Sequence, residues 1–315
     1  MQSSLRVFLA RLIDYAGLFP PASLSLDPAI RNYAAYQKDG GDWMLGRFII
    51  PASRINELEP YISLFSSSSP LPLSVTGSRS KSAEACLSRL REELEIVADF
   101  CARHKDAVQV NVLEQPLPPA VPDRDLLEQI ATATSRFGLQ TFCEQTVSLD
   151  VIWDRQMVDT LDAIATFNRA ADTALGFKLR TGGVTADAFP TPEQVALVLV
   201  GCRERGIAMK FTAGLHHPVR MYRDEVDTRM HGFLNVFTAG MLAHVYNLDV
   251  QATAEILADE APGSFSFFGN LLSWRNMVLT DSDISRLRKT AFYSYGCCSF
   301  DEPRDDLRAL KIFSF

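Results

Sequence analysis

The sequence has no run of apolar residues that reaches the ~18 needed to cross a membrane. It also has no excess of basic residues, since its formal net charge is −7. That charge argues against nucleic acid as the main partner, because phosphates bind basic surfaces. The N-terminal residues show no charged start, long apolar stretch and cleavage site of a signal peptide. We therefore expect a cytoplasmic protein that binds neither nucleic acid nor a membrane.

Several cofactor and metal motifs are also missing. None of the six cysteines forms a CxxC pair, and the adjacent Cys297 and Cys298 are poorly suited to a structural disulfide. With no basic neighbour in sequence, Cys298 is predicted to serve in packing. GxGxxG, GxxxxGK[ST], HxH and HExxH patterns do not occur. We expect reduced thiols, no cofactor and no resident metal.

Short β-branched or aromatic runs alternate with longer segments of helical spacing. The runs predict strands at 43–51, 71–76, 107–113, 139–145, 162–168, 176–181 and 207–212, with the eighth at 264–268 or 291–295. Such alternation is typical of parallel strands joined by crossover helices. The sequence therefore predicts an α/β fold, a single (β/α)8 TIM-type barrel spanning 1–315 with N-terminal and C-terminal extensions. Residues 1–42 are the N-terminal extension, expected to pack on the barrel.

Two lysines stand at matching positions of the sixth and seventh predicted strands. Side chains alternate along a strand, so Phe177 and Leu179 face the helices while Lys178 faces the barrel axis. Lys210 takes the same position on the next strand. Buried charges are tolerated at the open carboxyl end of barrel strands, where barrel enzymes carry out their chemistry. The sequence therefore places both lysines at the centre of an active face.

Amine activation is the chemistry that such a pair favours. A second ammonium and partial desolvation lower the pKa of a lysine toward neutrality, which frees the amine to attack a carbonyl. We predict Lys178 and Lys210 as catalytic residues, with protons moved by Glu144 or by a water that Asn111 holds. Arg180 and the amides of Gly182 and Gly183 suit a carboxylate or phosphate. The remaining predicted substrate-binding residues are Arg47, Asn111, Asn168, Thr212, His216 and His217.

The segments FKLRTGG and MKFTAG resemble the paired-lysine strands of class I aldolases of the deoxyribose-phosphate aldolase type. The resemblance covers two strands and the intervening helix, and it implies that Lys178 is the Schiff-base lysine and Lys210 its partner. That family has a small hydroxyl residue where this chain has Arg180. Its catalytic aspartate on the third strand falls near Asn111.

The whole chain also resembles a group of bacterial proteins that share DYAGLFPP, KFTAGLHHPV, HGFLN and a CSFDEP-like end. This resemblance indicates a coherent family and implies no activity. In the first of these segments, Asp14 and Tyr15 either reach the site from a loop, or Leu18 and Phe19 plug the barrel. The apolar segment 230–247 predicts a buried helix or a contact in a homo-oligomer.

Three functions remain open at this stage. The first is a lyase that forms a lysine imine with a small anionic carbonyl compound. The second is a metal-dependent hydrolase or lyase that uses His216, His217 and Glu144 as ligands. The third is a non-catalytic barrel that binds a small anion, which carboxylate ion pairs at both lysines together with a plugged barrel mouth would favour.

Overall fold

The structure is a computed structural model that describes residues 2–146, 149 and 153–312. Eight parallel strands close into a barrel, which confirms the predicted (β/α)8 TIM-type fold. The barrel strands are β1 (Ile13–Tyr15), β2 (Leu45–Pro51), β3 (Leu71–Thr76), β4 (Val108–Pro116), β5 (Gln140–Glu144), β6 (Gly176–Arg180), β7 (Met209–Thr212) and β8 (Phe292–Cys297). They follow one another around the barrel in chain order, and β8 closes it against β1.

Helices surround the barrel and connect its strands. Within the described part of the chain they are α1 (Ser3–Leu9), α2 (Leu26–Tyr36), α3 (Ala83–Arg103), α4 (Arg124–Ser135), α5 (Trp153–Ala170), α6 (Pro192–Arg205), α7 (Phe233–Tyr246), α8 (Val250–Ala258), α9 (Asp281–Thr290) and α10 (Asp301–Ala309). A 3₁₀ segment, Ala52–Leu64, joins β2 to β3. None of the helices in these residues is both long and apolar enough to cross a membrane.

Between β7 and β8 the chain adds elements outside the barrel. A hairpin of Met221–Arg223 and Thr228–Met230 precedes α7. A three-stranded antiparallel sheet of Phe265–Phe268, Leu271–Trp274 and Met277–Thr280 precedes α9. Helix α7 is buried from Phe233 to Ala243, as the buried-helix alternative for segment 230–247 predicts.

Helix α6 illustrates how local sequence sets an element that the site depends on. Thr191 and Gln194 form a reciprocal capping box at its start, with Pro192 in the first turn. Gly206 ends the helix in the left-handed region at φ 64°. Helix α6 connects β6 to β7. These two strands pair in register, and Lys178 lies opposite Lys210.

Two strand predictions need correction. Residues 162–168 are not a strand but lie within α5, where Met157, Leu161, Ile164 and Ala165 form one buried helical stripe. The missing strand is β1, which lies inside the predicted N-terminal extension. Residues 1–42 therefore supply a barrel strand as well as packing on the barrel. Of the two candidates for the eighth strand, the second is correct, and Phe265–Phe268 belongs to the antiparallel sheet.

Strand β4 is longer than predicted, and its register is irregular. Leu73 pairs with Val110, whereas Ser74 pairs with Val112, so an extra residue is accommodated at Asn111. A bulge of this kind inverts the alternation of side chains that follow it. As a result Glu114 lies beside Thr76 and points to the barrel axis.

Candidate active site

Lys178 lies at the floor of the carboxyl end of the barrel, between two carboxylates. Its Nζ is 2.8 Å from Oε2 of Glu114 and 2.6 Å from Oε2 of Glu144. These residues come from β6, β4 and β5, so three neighbouring strands supply the group. All three side chains are buried, with at most 5% exposed. The two carboxylates offset the desolvation cost of burying the Lys178 ammonium.

Lys210, on β7, lies deeper and is 1% exposed. Its Nζ contacts the carboxylate of Asp14. The same nitrogen lies 3.1 Å from the hydroxyl oxygen of Ser294 and 3.4 Å from Oε1 of Glu114. Ser294 also donates to Oδ2 of Asp14 at 2.7 Å. This ammonium therefore has polar partners on three sides and none of them is solvent-exposed.

Together these groups form a network in which the charge alternates across the barrel. The order of contact is Asp14, Lys210, Glu114, Lys178 and Glu144. Hydroxyl and amide donors occupy other carboxylate positions: Ser74 donates to Glu114 at 2.6 Å, and the Arg47 backbone amide donates to Asp14 at 2.6 Å. The network is well satisfied, as low-dielectric surroundings require.

The charges in the network determine the protonation states of its members. Burial alone would raise the pKa of Glu114, but Lys178, Lys210 and Ser74 outweigh it and lower that pKa to about 2. The pKa of Glu144 is lowered against burial by Lys178 and Arg180. Burial opposes the ammonium form of Lys178, yet Glu114 and Glu144 raise its pKa. The expectation that the lysines depress each other's pKa is therefore wrong for Lys178, because a carboxylate lies between the two ammonium groups.

A cavity of about 370 Å³ opens above this network. Its floor includes Glu114, Glu144 and Lys178. Its walls come from the segments that follow the strands, including Ala16, Phe19, Pro20, Pro21, Thr76, Gly77, Gly183, Val184, Thr212, Gly214, His216 and Cys298. Asp14 reaches the network from β1 itself, while Phe19 and the prolines form one wall without closing the cavity.

Two arginines lie at the rim. Arg180 Nε donates to Oε1 of Glu144 at 3.2 Å, and Arg79 lies 3.8 Å from the same oxygen. Both side chains are exposed, by 44% and 65%. Glu144 contacts three cationic groups, those of Lys178, Arg180 and Arg79. Because one carboxylate cannot neutralise all three, the rim keeps a net positive charge. Such a rim suits a small anion.

The predicted substrate-binding residues Arg47, Asn111 and Asn168 lie away from this cavity. Arg47 and Asn111 line a separate opening at the amino end of the strands, because each precedes the midpoint of its strand. Asn168 is near the end of α5, where its side chain exchanges hydrogen bonds of 2.9 Å with the backbone of Leu175. Asn168 therefore stabilises the connection between α5 and β6.

Gly182 and Gly183 follow β6 as predicted, and they differ in role. Gly183 lines the cavity. Gly182 packs against Gly214, since a Cβ on either would lie 2.9 Å from the other's Cα. The close approach of these two backbones shapes the loops after β6 and β7.

The histidines do not join Glu144. His216 Nδ1 lies 3.0 Å from Glu302, and His217 Nδ1 lies 2.6 Å from Asp306. Both acids belong to α10, so the pairs fasten the last helix to the barrel mouth. Over residues 2–146, 149 and 153–312, no group of three or more histidine, cysteine, aspartate and glutamate side chains is arranged to hold a metal ion. The predicted ligand set of His216, His217 and Glu144 is therefore not formed.

Sequence reasoning missed Glu114, Ser74, Ser294 and Arg79, and it treated Asp14 only as a loop residue. Glu114 lay one residue beyond the predicted third strand, on the wrong side of an alternation that the bulge inverts. The sequence shows an acid directly after the predicted third strand, but no local pattern marks the bulge that turns it inward.

The fold and the site thus define a TIM-type barrel with a buried, alternately charged network at the carboxyl end of its strands. No family model matches the chain, and no curated protein matches it in sequence.

Several solved barrels are similar in structure. A modular endo-β-1,4-mannanase from Cellulomonas fimi has a TM-score of 0.48 and 11% identity, over 84% of this chain and 71% of its own. A type I 3-dehydroquinate dehydratase from Clostridium difficile has a TM-score of 0.38 and 8% identity, over 64% of this chain and 75% of its own. A xylose isomerase domain protein from Alicyclobacillus acidocaldarius has a TM-score of 0.37 and 12% identity, over 78% and 95%.

Proposed function

We propose that this protein is an enzyme that acts on a small carbonyl compound bearing a carboxylate or phosphate, through an imine on Lys178. One observation carries the proposal: the Lys178 ammonium lies between Glu114 and Glu144 at the floor of an open cavity. An ion-paired lysine far from any opening would be a purely structural group. Here the amine and its proton acceptors border the space that a substrate would occupy.

The charge balance of imine formation fits the network. An ammonium and a carbonyl give a protonated imine and one water molecule, so the positive charge on the lysine nitrogen is conserved. The carboxylates that stabilise the ammonium therefore also stabilise the protonated imine. A lysine activated instead by a lowered pKa would be neutral at rest and would gain a charge in this step.

The proton that must leave the nitrogen has a nearby acceptor. Glu144 Oε2 is 2.6 Å from Nζ, so one proton can pass to it and the amine can then attack the carbonyl carbon. The attack forms the C–N bond, and the carbonyl oxygen leaves as water after taking up two protons from the nitrogen, one of them through Glu144. Glu114 is less suited to accept this proton, because both lysines and Ser74 hold its carboxylate and lower its pKa to about 2.

A lyase step follows from the same geometry. In the protonated imine, the bond between the α and β carbons breaks and its electron pair moves toward the nitrogen, which leaves an enamine. The proton of a β-hydroxyl group passes to a base, and Glu144 is placed for that role at the cavity floor. The anionic group of the substrate would lie at the rim against Arg79 and Arg180.

Proton exchange tests the proposal without knowledge of the natural substrate. The protein is incubated in deuterium oxide with pyruvate, 2-oxobutyrate and dihydroxyacetone phosphate, and loss of the proton signal beside the carbonyl is followed by NMR. We expect exchange with at least one probe, and at least a ~100-fold loss in Lys178→Met.

Lys105→Met is the matched control, because Lys105 is exposed and distant from the cavity; it should retain the wild-type rate. Exchange that survives Lys178→Met would refute the imine. Binding of these probes with no exchange in the wild type would favour a non-catalytic anion-binding barrel.

A further inference from the structure

A second chemical group lies on the wall of the cavity, apart from the lysine network. Cys298 directly follows β8, and His216 lies in the segment after β7. The Nδ1 atom of His216 is 3.8 Å from the sulfurs of both Cys297 and Cys298. The same nitrogen is 3.0 Å from Oε2 of Glu302. The Cys298 thiol therefore has a basic neighbour in the fold, although it has none in the adjacent sequence. That neighbour is His216, 82 residues earlier in the chain.

The surroundings keep the imidazole charged. Burial alone would lower the pKa of His216, but the sulfurs of Cys297 and Cys298 and the carboxylate of Glu302 raise it. Glu302 in turn has a lowered pKa, chiefly because His216 donates to it. The neighbouring His217 pairs with Asp306 and does not compete for Glu302. An imidazolium beside a thiol favours the thiolate form.

The two cysteines differ in access. Cys297 is the last residue of β8 and is 2% exposed. Cys298 is 9% exposed and lines the cavity, together with the His216 ring. A small molecule in the cavity therefore meets Cys298.

We propose that Cys298 is a nucleophilic thiolate paired with the His216 imidazolium, and that it captures small carboxylate-bearing electrophiles that enter the cavity. Glu302 is a positioning residue, since it holds the ring and touches no electrophile. In the capture step the sulfur forms a bond to the electrophilic carbon, and the leaving group departs with the electron pair of its bond. The thiol proton resides on His216. The arginines at the rim, Arg79 and Arg180, favour an anionic electrophile over a neutral one.

This inference does not rest on the imine at Lys178. The thiol reacts through its own base and its own positioning carboxylate. Failure of one proposal therefore leaves the other standing, and the variant Lys178→Met separates them experimentally.

Alkylation kinetics test the inference on the intact protein. Iodoacetate and iodoacetamide are added separately in small amounts, and each cysteine is quantified over time by peptide mass spectrometry. Cys101 is the internal reference, because it is more exposed than Cys298 and burial raises the pKa of its thiol. Access alone predicts that Cys101 reacts faster.

We expect Cys298 to react with iodoacetate at least ~10-fold faster than Cys101 does. We also expect the rate with iodoacetate, divided by the rate with iodoacetamide, to be higher at Cys298 than at Cys101. The label should persist in Cys297→Ser and disappear in Cys298→Ser. It should also persist in Lys178→Met. A Cys298 rate no greater than that of Cys101 in the wild type would overturn the inference.

The role of the histidine is tested by His216→Asn, which should slow Cys298 at least ~10-fold and leave Cys101 unchanged. An unchanged Cys101 rate also shows that the variant is folded. If that variant does not fold, Glu302→Gln replaces it: the rate at Cys298 should fall, and its rise with pH should move to higher pH. A Cys298 rate that neither substitution alters would overturn the pairing.

Discussion

Lys178 and Lys210 contact opposite oxygens of one carboxylate, that of Glu114, at 2.8 and 3.4 Å. The two lysines face each other in register on β6 and β7, yet a carboxylate lies between their ammonium groups. Glu114 separates them electrostatically, and each has a further acid of its own, Glu144 or Asp14. The lysines thus belong to a ladder of ion pairs, and the proposed chemistry is a movement of protons within that ladder.

Removal of the shared carboxylate should strongly destabilise the fold. Glu114→Gln leaves two buried ammonium groups with one fewer counter-charge, and such a change costs about 3–5 kcal/mol. Urea unfolding of wild type and variant measures the loss. Glu57→Gln breaks the exposed pair with Arg54 and should cost less than about 1 kcal/mol. Equal costs for the two variants would contradict the account of the ladder.

Acid should weaken the protein through the same carboxylate. The folded-state pKa of Glu114 is about 2, below its ordinary value of 4.5, so its contribution is fully present above that ordinary value and is lost as pH falls toward 2. The free energy of unfolding should therefore decrease between about pH 5 and 2, and less steeply in Glu114→Gln. The exposed Glu128 is the control, and Glu128→Gln should keep the wild-type slope. A wild-type slope in Glu114→Gln would show that other groups account for the acid sensitivity.

The rate of proton exchange should vary little with pH. If Lys178 passes its proton to Glu144, the reactive form carries as many protons as the resting form, so the rate stays nearly flat between about pH 6 and 9. A lysine with a depressed pKa would show an inflection in that range. Glu144→Gln should slow exchange by about 100-fold, because the acceptor is lost. An inflection of the wild-type exchange rate near neutral pH would instead support a lysine whose pKa the other lysine lowers.

The close approach of the loops after β6 and β7 should tolerate no side chain. Gly214 has φ 74°, and a Cβ there would lie 2.9 Å from Cα of Gly182 and 3.1 Å from the Thr181 carbonyl oxygen. Gly206 has a similar φ of 64° but open space around it, so Gly206→Ala measures backbone strain alone, about 1 kcal/mol. Gly214→Ala should cost at least about 2 kcal/mol more, from overpacking. Thermal unfolding compares the two, and equal shifts would argue against the contact.

Most of the barrel followed from the sequence because strand and helix periodicities differ clearly. Seven of the barrel strands lay at or next to predicted positions, including one of the two candidates for the eighth. β1 escaped notice because three residues are too few to show alternation. The predicted strand at 162–168 was a helical stripe whose β-branched residues imitated a strand.

The lysines were placed correctly on the axis because alternation on β6 and β7 is regular. Of their partners, Glu144 was predicted, but Glu114 could not be placed by the same reasoning. The bulge at Asn111 moves Glu114 inward, and no local pattern announces it. His216 and Cys298 come together only because β7 and β8 are neighbours in the closed barrel. Side-chain pKa values depend on such long-range contacts, which explains the reversed expectation for Lys178.

The central claim is that Lys178 forms the imine, and reductive trapping tests it most directly. The protein is treated with borohydride in the presence of each carbonyl probe, and the modified peptides are identified by mass. The account predicts one added mass, located on Lys178, that disappears in Lys178→Met and remains in Lys105→Met. Labels spread over exposed lysines, with Lys178 unmodified under every probe, would contradict it.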